Sequence, residues 1–543
     1  MKISFIHGLW LFAVALIAFI LSKVALAYSG LSIWDDAYIF IRYADNILTS
    51  GSLSFNPGGD KTYGITSLAY LGVVLPFRML FPDYPAMTMI IASSVCGFFF
   101  IGILIVLLKN CVASKNDQVR WSVVVLVLFS ISYTIKSFST HFVSGMDTMF
   151  VLAFFTGYIL ISKWHEHTLS RLSAFLTGCA GGLAFAVRPD LMIYTVILPV
   201  TSIFYSSNRK ARRTAMSILM VTGIITLLQV IIYTRYLNSP FPLSFYVKGL
   251  RLYGKAIYDQ YRFIPWKELY QFVLSLPLLF SAIVIPFILD PKIWWMKMPS
   301  TDKGLLFATI VFISYYLLFV LQIMHFSQRF YYPTLPALAF LAAQSIVFIY
   351  EKLSFSGVFN VSSVQAFLKA VLISSLIFSM FPTGYFITKE ALVLFRGRIK
   401  ELHNFDIVSN YKKRWRNYWF CLEQFSNLPD DFSIATTEIG VPLAMNPKKV
   451  IVDLTGLNET MIAHDGFSAD KFFQKYQPDL IYMPHPHYQD IIRQIRESPY
   501  FSYHYEYFSS SDISAFMGIA LKKDSKYYAR LREIVKSNCP GTS

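Results

Sequence analysis

Acidic side chains are scarce in this chain. Over 543 residues, 32 Asp and Glu face 48 Lys and Arg, leaving a formal charge of +16. Such a surplus would suit nucleic acid only if the basic residues clustered on one soluble face; here they are scattered along loops, and that class is set aside. Charge of either sign is itself sparse, at 15% of residues against 55% hydrophobic, which excludes an ordinary soluble globule over most of the length and points to a membrane protein. Cysteine is also short. Cys96, Cys111, Cys179, Cys421 and Cys539 show no metal or redox spacing, so neither such a centre nor a disulfide framework is implied. No internal repeat or low-complexity tract is visible.

Long apolar runs, by contrast, are abundant. A helix needs about 20 mostly apolar residues to cross the hydrocarbon core. Eleven segments reach or approach that length: Gly8–Tyr28, Ala86–Leu108, Trp121–Ile135, Thr148–Ser162, Leu172–Val187, Leu191–Tyr205, Thr214–Tyr233, Phe272–Leu289, Gly304–Met324, Thr334–Tyr350 and Val364–Phe386. The start resembles a secretory signal, with Lys2, an apolar run and Ala25, Leu26 and Ala27 as an A-x-A site; its length favours a retained span.

Basic loops face the cytoplasm by the positive-inside rule. Asn208–Arg213, with Arg209, Lys210, Arg212 and Arg213 almost unopposed, fixes the parity. The amino terminus is then cytoplasmic too, provided that Ser67–Phe81 does not cross. Pro76, Arg78 and Pro82 make that stretch a poor span, and it is expected as a helix lying on the outer surface. One loop runs against the rule: Arg235–Tyr270 is rich in Lys and Arg yet falls outside, an excess that function would explain.

From about Lys389 onward the chain becomes soluble in character. Ser433–Thr436, Lys449–Leu454, Leu480–Met483, Tyr503–Phe508 and Phe516–Lys522 read as short strands, Tyr488–Glu497 and Tyr527–Ser537 as helices. Strands mixed with helices make a small α/β domain. The expected organisation is a polytopic α-helical membrane domain over residues 1–388 and an extracytoplasmic α/β domain over residues 389–543.

Each loop with unusual polar chemistry falls on the outer side. WDDAYIFIRYADN, Trp34–Asn46, sets two adjacent carboxylates, Asp35 and Asp36, just beyond the first apolar run. Ionised acids at a membrane boundary are costly without water, a cation or a reaction partner. They open a helix with the apolar stripe Ala37, Phe40, Ile41, Ala44, Ile47 and Leu48 and with Arg42, Asp45 and Asn46 opposite; it is expected to lie in the interface, apolar face down. N-capping would occupy one carboxylate and leave the other unexplained. Asp147, in Ser144–Asp147, precedes a helix and admits the same capping role. Arg188, Pro189 and Asp190 form a tight turn. The stretch from Tyr233 presents Arg235, Tyr246 and Lys248 around Pro240 and Pro242, and His325, Gln328, Arg329, Tyr331 and Tyr332 close the ninth span.

Carboxylates, a histidine, cations and aromatic rings on one membrane face are what glycosyl transfer from a lipid-phosphate sugar requires. A sugar hydroxyl is a poor nucleophile, so a carboxylate must take its proton as the bond forms. The leaving phosphate gains charge, so Arg or Lys must already be aimed at it.

At these residues the chain resembles a known family. WDDAYIFIRYADNIL, GSLSFNPGG and YGITS are similar to the first outer loop of the integral-membrane GT-C glycosyltransferases, and most of all of the terminal arabinofuranosyltransferases of mycobacterial cell-wall synthesis. The resemblance continues through SGMD, AVRPD, the Tyr-Arg-Tyr loop with its two prolines and Lys248, HFSQRFYYPTLP, and IVDLTGLNE at Ile451–Glu459. It implies a GT-C fold, a polyprenyl-phosphate-linked sugar donor and a catalytic acid in the first outer loop. That acid maps onto Asp35 with Asp36 beside it, and the histidine ending the ninth span maps onto His325. Family members commonly carry Glu where this chain has Asp147.

On this reading Asp35 takes the acceptor proton, or acts as nucleophile if configuration is retained, and His325 orients or protonates. Arg329, Lys248, Arg188 and Arg235 hold the donor phosphate, while Arg42, Tyr63, Asp147, Tyr246 and Gln328 line the substrate pocket. No resident cofactor is expected, although paired acids leave room for a divalent cation. The expected partners are the lipid-linked donor, carrying arabinofuranose or a hexose, a glycan, lipid or protein acceptor of the cell envelope, and the bacterial inner membrane. The alternative is a transporter or flippase of a lipid-linked envelope precursor. Transport needs polar or broken helices near the bilayer midplane, and ionisable residues deep in the spans are few.

Overall fold

The computed structural model describes residues 34–111, 117–133, 135–249, 259, 261–322, 326–355, 421–509 and 517–538. Among the described residues the first two helices are α1 (Ala37–Ser50) and α2 (Leu68–Leu80). The expected spans from Ala86 to Tyr233 then fall on α3 (Pro85–Cys111), α4 (Asp117–Tyr133), α6 (Thr148–Thr168), α7 (Arg171–Val187), α8 (Met192–Tyr205) and α9 (Arg209–Leu237), with the short α5 (Ile135–Val143) before α6. After α10 (Leu243–Gly249) come α11 (Ile264–Ser275), α12 (Pro277–Leu289), α13 (Ser300–Leu318) and α14 (Leu335–Phe355). The expected spans Gly8–Tyr28 and Val364–Phe386 lie outside the described residues. Among the described residues, α3, α9, α13 and the helix around α14 are each long and apolar enough to cross a membrane. On α9, Met216, Met220, Ile224, Leu227, Leu228, Ile231 and Ile232 recur at helical spacing and each is more than half exposed. A continuous apolar stripe of that kind is stable against lipid, not water.

Two spans differ from expectation. Phe272–Leu289 is not one helix: α11 and α12 meet at 87°. The break sits at Leu276, whose φ −125° and ψ 45° are non-helical. A residue before proline is pushed out of the helical region, and Pro277 has no N–H to continue the ladder. The span expected to run to Met324 ends at Leu318, and Gln322, beyond it, donates to the Tyr316 carbonyl and the Tyr331 hydroxyl.

Residues 421–538 carry a five-stranded mixed sheet ordered β2-β1-β3-β5-β4, from β1 (Ile434–Thr436), β2 (Ile451–Asp453), β3 (Leu480–Met483), β4 (Tyr505–Ser509) and β5 (Gly518–Lys522). The strands β2, β1 and β3 run parallel, with Ile434 beside both Ile451 and Leu480; β5 pairs antiparallel with β3 and β4. Each lies within or one residue beyond a stretch expected as a strand. Cys421 is disulfide-bonded, which spacing along the chain does not reveal, since it does not show which thiols the fold brings together.

The interfacial reading of α1 is also corrected. Ala37 to Ala44 are all buried, Arg42 included, and Asn46 is buried as well. The polar face meets protein rather than water. Arg42 donates to the carbonyls of Asn446, Pro447 and Lys449, and Asn46 to those of Ser54 and Phe55. The helix is thus clamped between α2 and α3 on one side and the C-terminal unit on the other.

Candidate active site

A cavity of about 190 Å³ lies where α1, residues 64–66, the start of α6, the 188–190 turn, α10, the end of α13 and Arg329–Phe330 converge. Of the two adjacent acids only Asp36 lines it. Asp35 turns away: its carboxylate oxygens accept the backbone N–H groups of Gly440, at 3.1 Å, and Val441, at 2.6 Å. The direction of Asp35 therefore departs from expectation, because the amides of the C-terminal unit claim it. Asp36 sits at the N-cap position of α1 but makes no capping hydrogen bond there, so capping does not account for it. Its Oδ2 accepts from Arg329 Nη1 at 2.9 Å. Burial opposes its ionisation, but the charges of Arg329 and Lys248 outweigh burial and hold the carboxyl below the ordinary aspartate value.

Arg329 is held from several sides. Its guanidinium stacks near the rings of Trp34 and Phe330. The two preceding residues, Ser327 and Gln328, have left-handed backbones with φ 53° and 54°, uncommon for residues with a Cβ and a store of strain that the surroundings must hold. His141 supplies part of the restraint, its Nε2 lying 2.9 Å from the Ser327 carbonyl and its ring against Tyr332 and Trp34. Burial keeps that imidazole neutral, down to about 3, so it donates rather than repels. His141 was not singled out in the sequence, where a histidine between apolar residues gives no signal of its own.

Lys248 lines the cavity from α10. Burial, with the Arg329 charge behind it, brings its ammonium down to about 8, against the pull of Asp36. Arg188, which also lines the cavity, pairs with Asp190 at 2.9 Å and donates to the Tyr316 hydroxyl at 2.7 Å, and that hydroxyl in turn donates to Asp190. Asp147 also faces the cavity without capping α6. Burial raises its carboxyl, opposed by Arg188 and Arg329. Among the described residues, Asp147 Oδ2 and Asp190 Oδ1 are buried with no hydrogen-bond partner. Two such acceptors on one wall suit the hydroxyl groups of a polyol, because a buried acceptor left unmet is costly.

The structure thus brings Asp36, Lys248, Arg329, Arg188 and Asp147 to one cavity and adds Asp190 and Tyr316. Other expected residues lie elsewhere. Arg42 is spent on the C-terminal carbonyls. Tyr63 is buried against Tyr233, and its carbonyl holds the Leu243 amide. Tyr246 stacks on His464, Gln328 donates to Gln271, and Arg235 is exposed at the end of α9. His325 lies outside the described residues. Among the described residues no group of three His, Cys, Asp or Glu side chains is placed to hold a metal ion.

No protein-family model and no curated protein sequence matches the chain. Solved structures do. The fold is similar to that of ArnT from Cupriavidus metallidurans, crystallised bound to undecaprenyl phosphate and in the apo state. Both comparisons give a TM-score of 0.54 and cover 96% of this chain, against 99% and 98% of the ArnT chain, at 14% and 12% sequence identity. At that identity the likeness establishes a common architecture over nearly the full length of both chains. It agrees with the GT-C fold implied by the first outer loop and does not single out the arabinofuranosyltransferases.

Proposed function

We propose that this protein is a membrane glycosyltransferase that moves a sugar, arabinofuranose or a hexose, from a polyprenyl-phosphate donor to an acceptor hydroxyl of the cell envelope. The observation that carries the reading is the single cavity in which the Asp36 carboxylate meets Arg329 and Lys248. The acceptor oxygen forms a bond to the anomeric carbon while the bond from that carbon to the phosphate oxygen breaks. Asp36 receives the hydroxyl proton, and Arg329 and Lys248 meet the charge that grows on the leaving phosphate. Asp147, Asp190 and Arg188 face the sugar. The fold shared with ArnT, crystallised with undecaprenyl phosphate, supports a prenyl-phosphate donor. The disulfide at Cys421 supports an extracytoplasmic position for the C-terminal unit, since disulfides persist in oxidising compartments, and that agrees with the parity of the basic loops.

Purified protein in detergent, given a panel of polyprenyl-phosphate sugars and an envelope extract, should release polyprenyl phosphate and label a glycan. Failure with every donor of the panel would remove the assignment; activity in detergent, where no gradient exists, separates an enzyme from a transporter.

A second expectation concerns pH. Lys248 binds phosphate as a cation, so its contribution is present below its value of about 8 and is lost as pH rises through it. Donor kcat/KM, which reports the free enzyme, should fall about tenfold between pH 7 and pH 9. Lys248→Arg, charged throughout that range, should flatten the fall, and an unchanged alkaline limb in that variant would exclude Lys248 as its source.

A further inference from the structure

Of the two adjacent acids, Asp36 lines the cavity and Asp35 lies outside it. Asp35 holds the two consecutive amides of Gly440 and Val441, one on each carboxylate oxygen. The approach is so close that a Cβ on Gly440 would lie 2.0 Å from the Asp35 carbonyl oxygen. Residues 437–441 follow the carboxyl end of β1, and residues 454–458 follow that of β2. Ligand sites of open α/β sheets form at the carboxyl ends of parallel strands, and here those ends face the first outer loop. Leu457 from the second of these loops lines the cavity, and Asn458 accepts from Tyr43 of α1. Glu438, two residues before Gly440, is buried close enough to Asp36 and Lys248 for their charges to be felt.

We infer that Asp35 is a positioning residue: by gripping the amides of Gly440 and Val441 it seats the loop after β1 against the start of α1, and through the single peptide bond to Asp36 it fixes the angle at which that carboxylate meets Arg329. Two parallel acceptors for two N–H groups explain why a carboxylate stands here. An amide would turn one of its donors against a donor. The inference rests on Asp36 as the reacting carboxylate, while the grip itself is independent of any reaction.

The test uses the full-length protein in detergent, with Asp35→Asn, Gly440→Ala and the double variant. Hydrogen exchange of peptides spanning 437–443 should speed up at least tenfold in each. The kcat should fall about 30-fold with donor KM within twofold, and the double variant should be no slower than either single one, because both changes break one contact. Unchanged exchange in Asp35→Asn overturns the grip whatever happens to activity. Faster exchange with parental kcat overturns the positioning role. If the parental protein transfers no sugar from any donor, the glycosyltransferase reading fails, and the exchange measurement still decides the grip.

Discussion

Asp36→Asn should reduce glycosyl transfer by about a thousandfold, within the usual range of roughly 10²–10⁴ for losing a general base, while donor binding stays close to parental. Asparagine fills the same space and still accepts a hydrogen bond from Arg329, so the fold and the phosphate-binding cations remain. On the proposed mechanism, what is lost is the carboxylate that takes the acceptor proton beside Arg329 and Lys248. The measurement is a single-turnover assay with donor saturating, alongside a direct donor-binding assay. Parental turnover in this variant would remove Asp36 from the mechanism and return the question to Asp35.

Arg329→Ala should be nearly as damaging, by a different route. On the proposed mechanism the guanidinium meets the leaving phosphate, and removing one preorganised donor of this kind costs about 10²–10³ in kcat. It also balances Asp36. Without that charge, burial, the largest influence on the Asp36 carboxyl, prevails and the carboxyl shifts upward. The base works only when ionised, so the acidic limb of the pH–rate profile should move to higher pH. Arg329→Lys should restore part of the rate and most of the acidic limb, since it returns the charge but not the planar, multi-donor guanidinium. A profile that loses amplitude without moving would separate Arg329 from Asp36 and leave it as a phosphate ligand alone.

Much of this was legible in the sequence, and the misses share one cause. The strands at 434–436, 451–453 and 480–483 could be read because each is a short, fully apolar or nearly apolar run; their order in the sheet could not, since it depends on crossovers. The paired acids of Trp34–Asp35–Asp36 drew notice by composition. Which of them faces the cavity did not follow, because neighbouring side chains at a helix start diverge by about 100° and the deciding partners, Gly440 and Val441, lie some four hundred residues away. Arg42 looked like a pocket residue for the same reason: a cation on a polar helix face reads alike whether a substrate or a set of carbonyls answers it. Tyr316 gives no signal in the sequence, because its contact with Asp190 spans 126 positions and the tyrosine sits in an apolar helix. The break before Pro277 was legible in principle, from proline chemistry alone.

The union of α1 with the C-terminal unit has an evolutionary corollary. Arg42 reads the carbonyls of residues 446, 447 and 449, Asp35 reads the amides of 440 and 441, and Asn56 pairs with both the amide and the carbonyl of Ile451. Every one of these grips addresses the main chain. Apart from Gly440, which has no room for a Cβ, and Asn458, whose side chain accepts from Tyr43, the partner strand and loops are therefore free to exchange side chains without losing these grips. Lineages built this way can diverge widely in the sequence of that half of the molecule while keeping its shape.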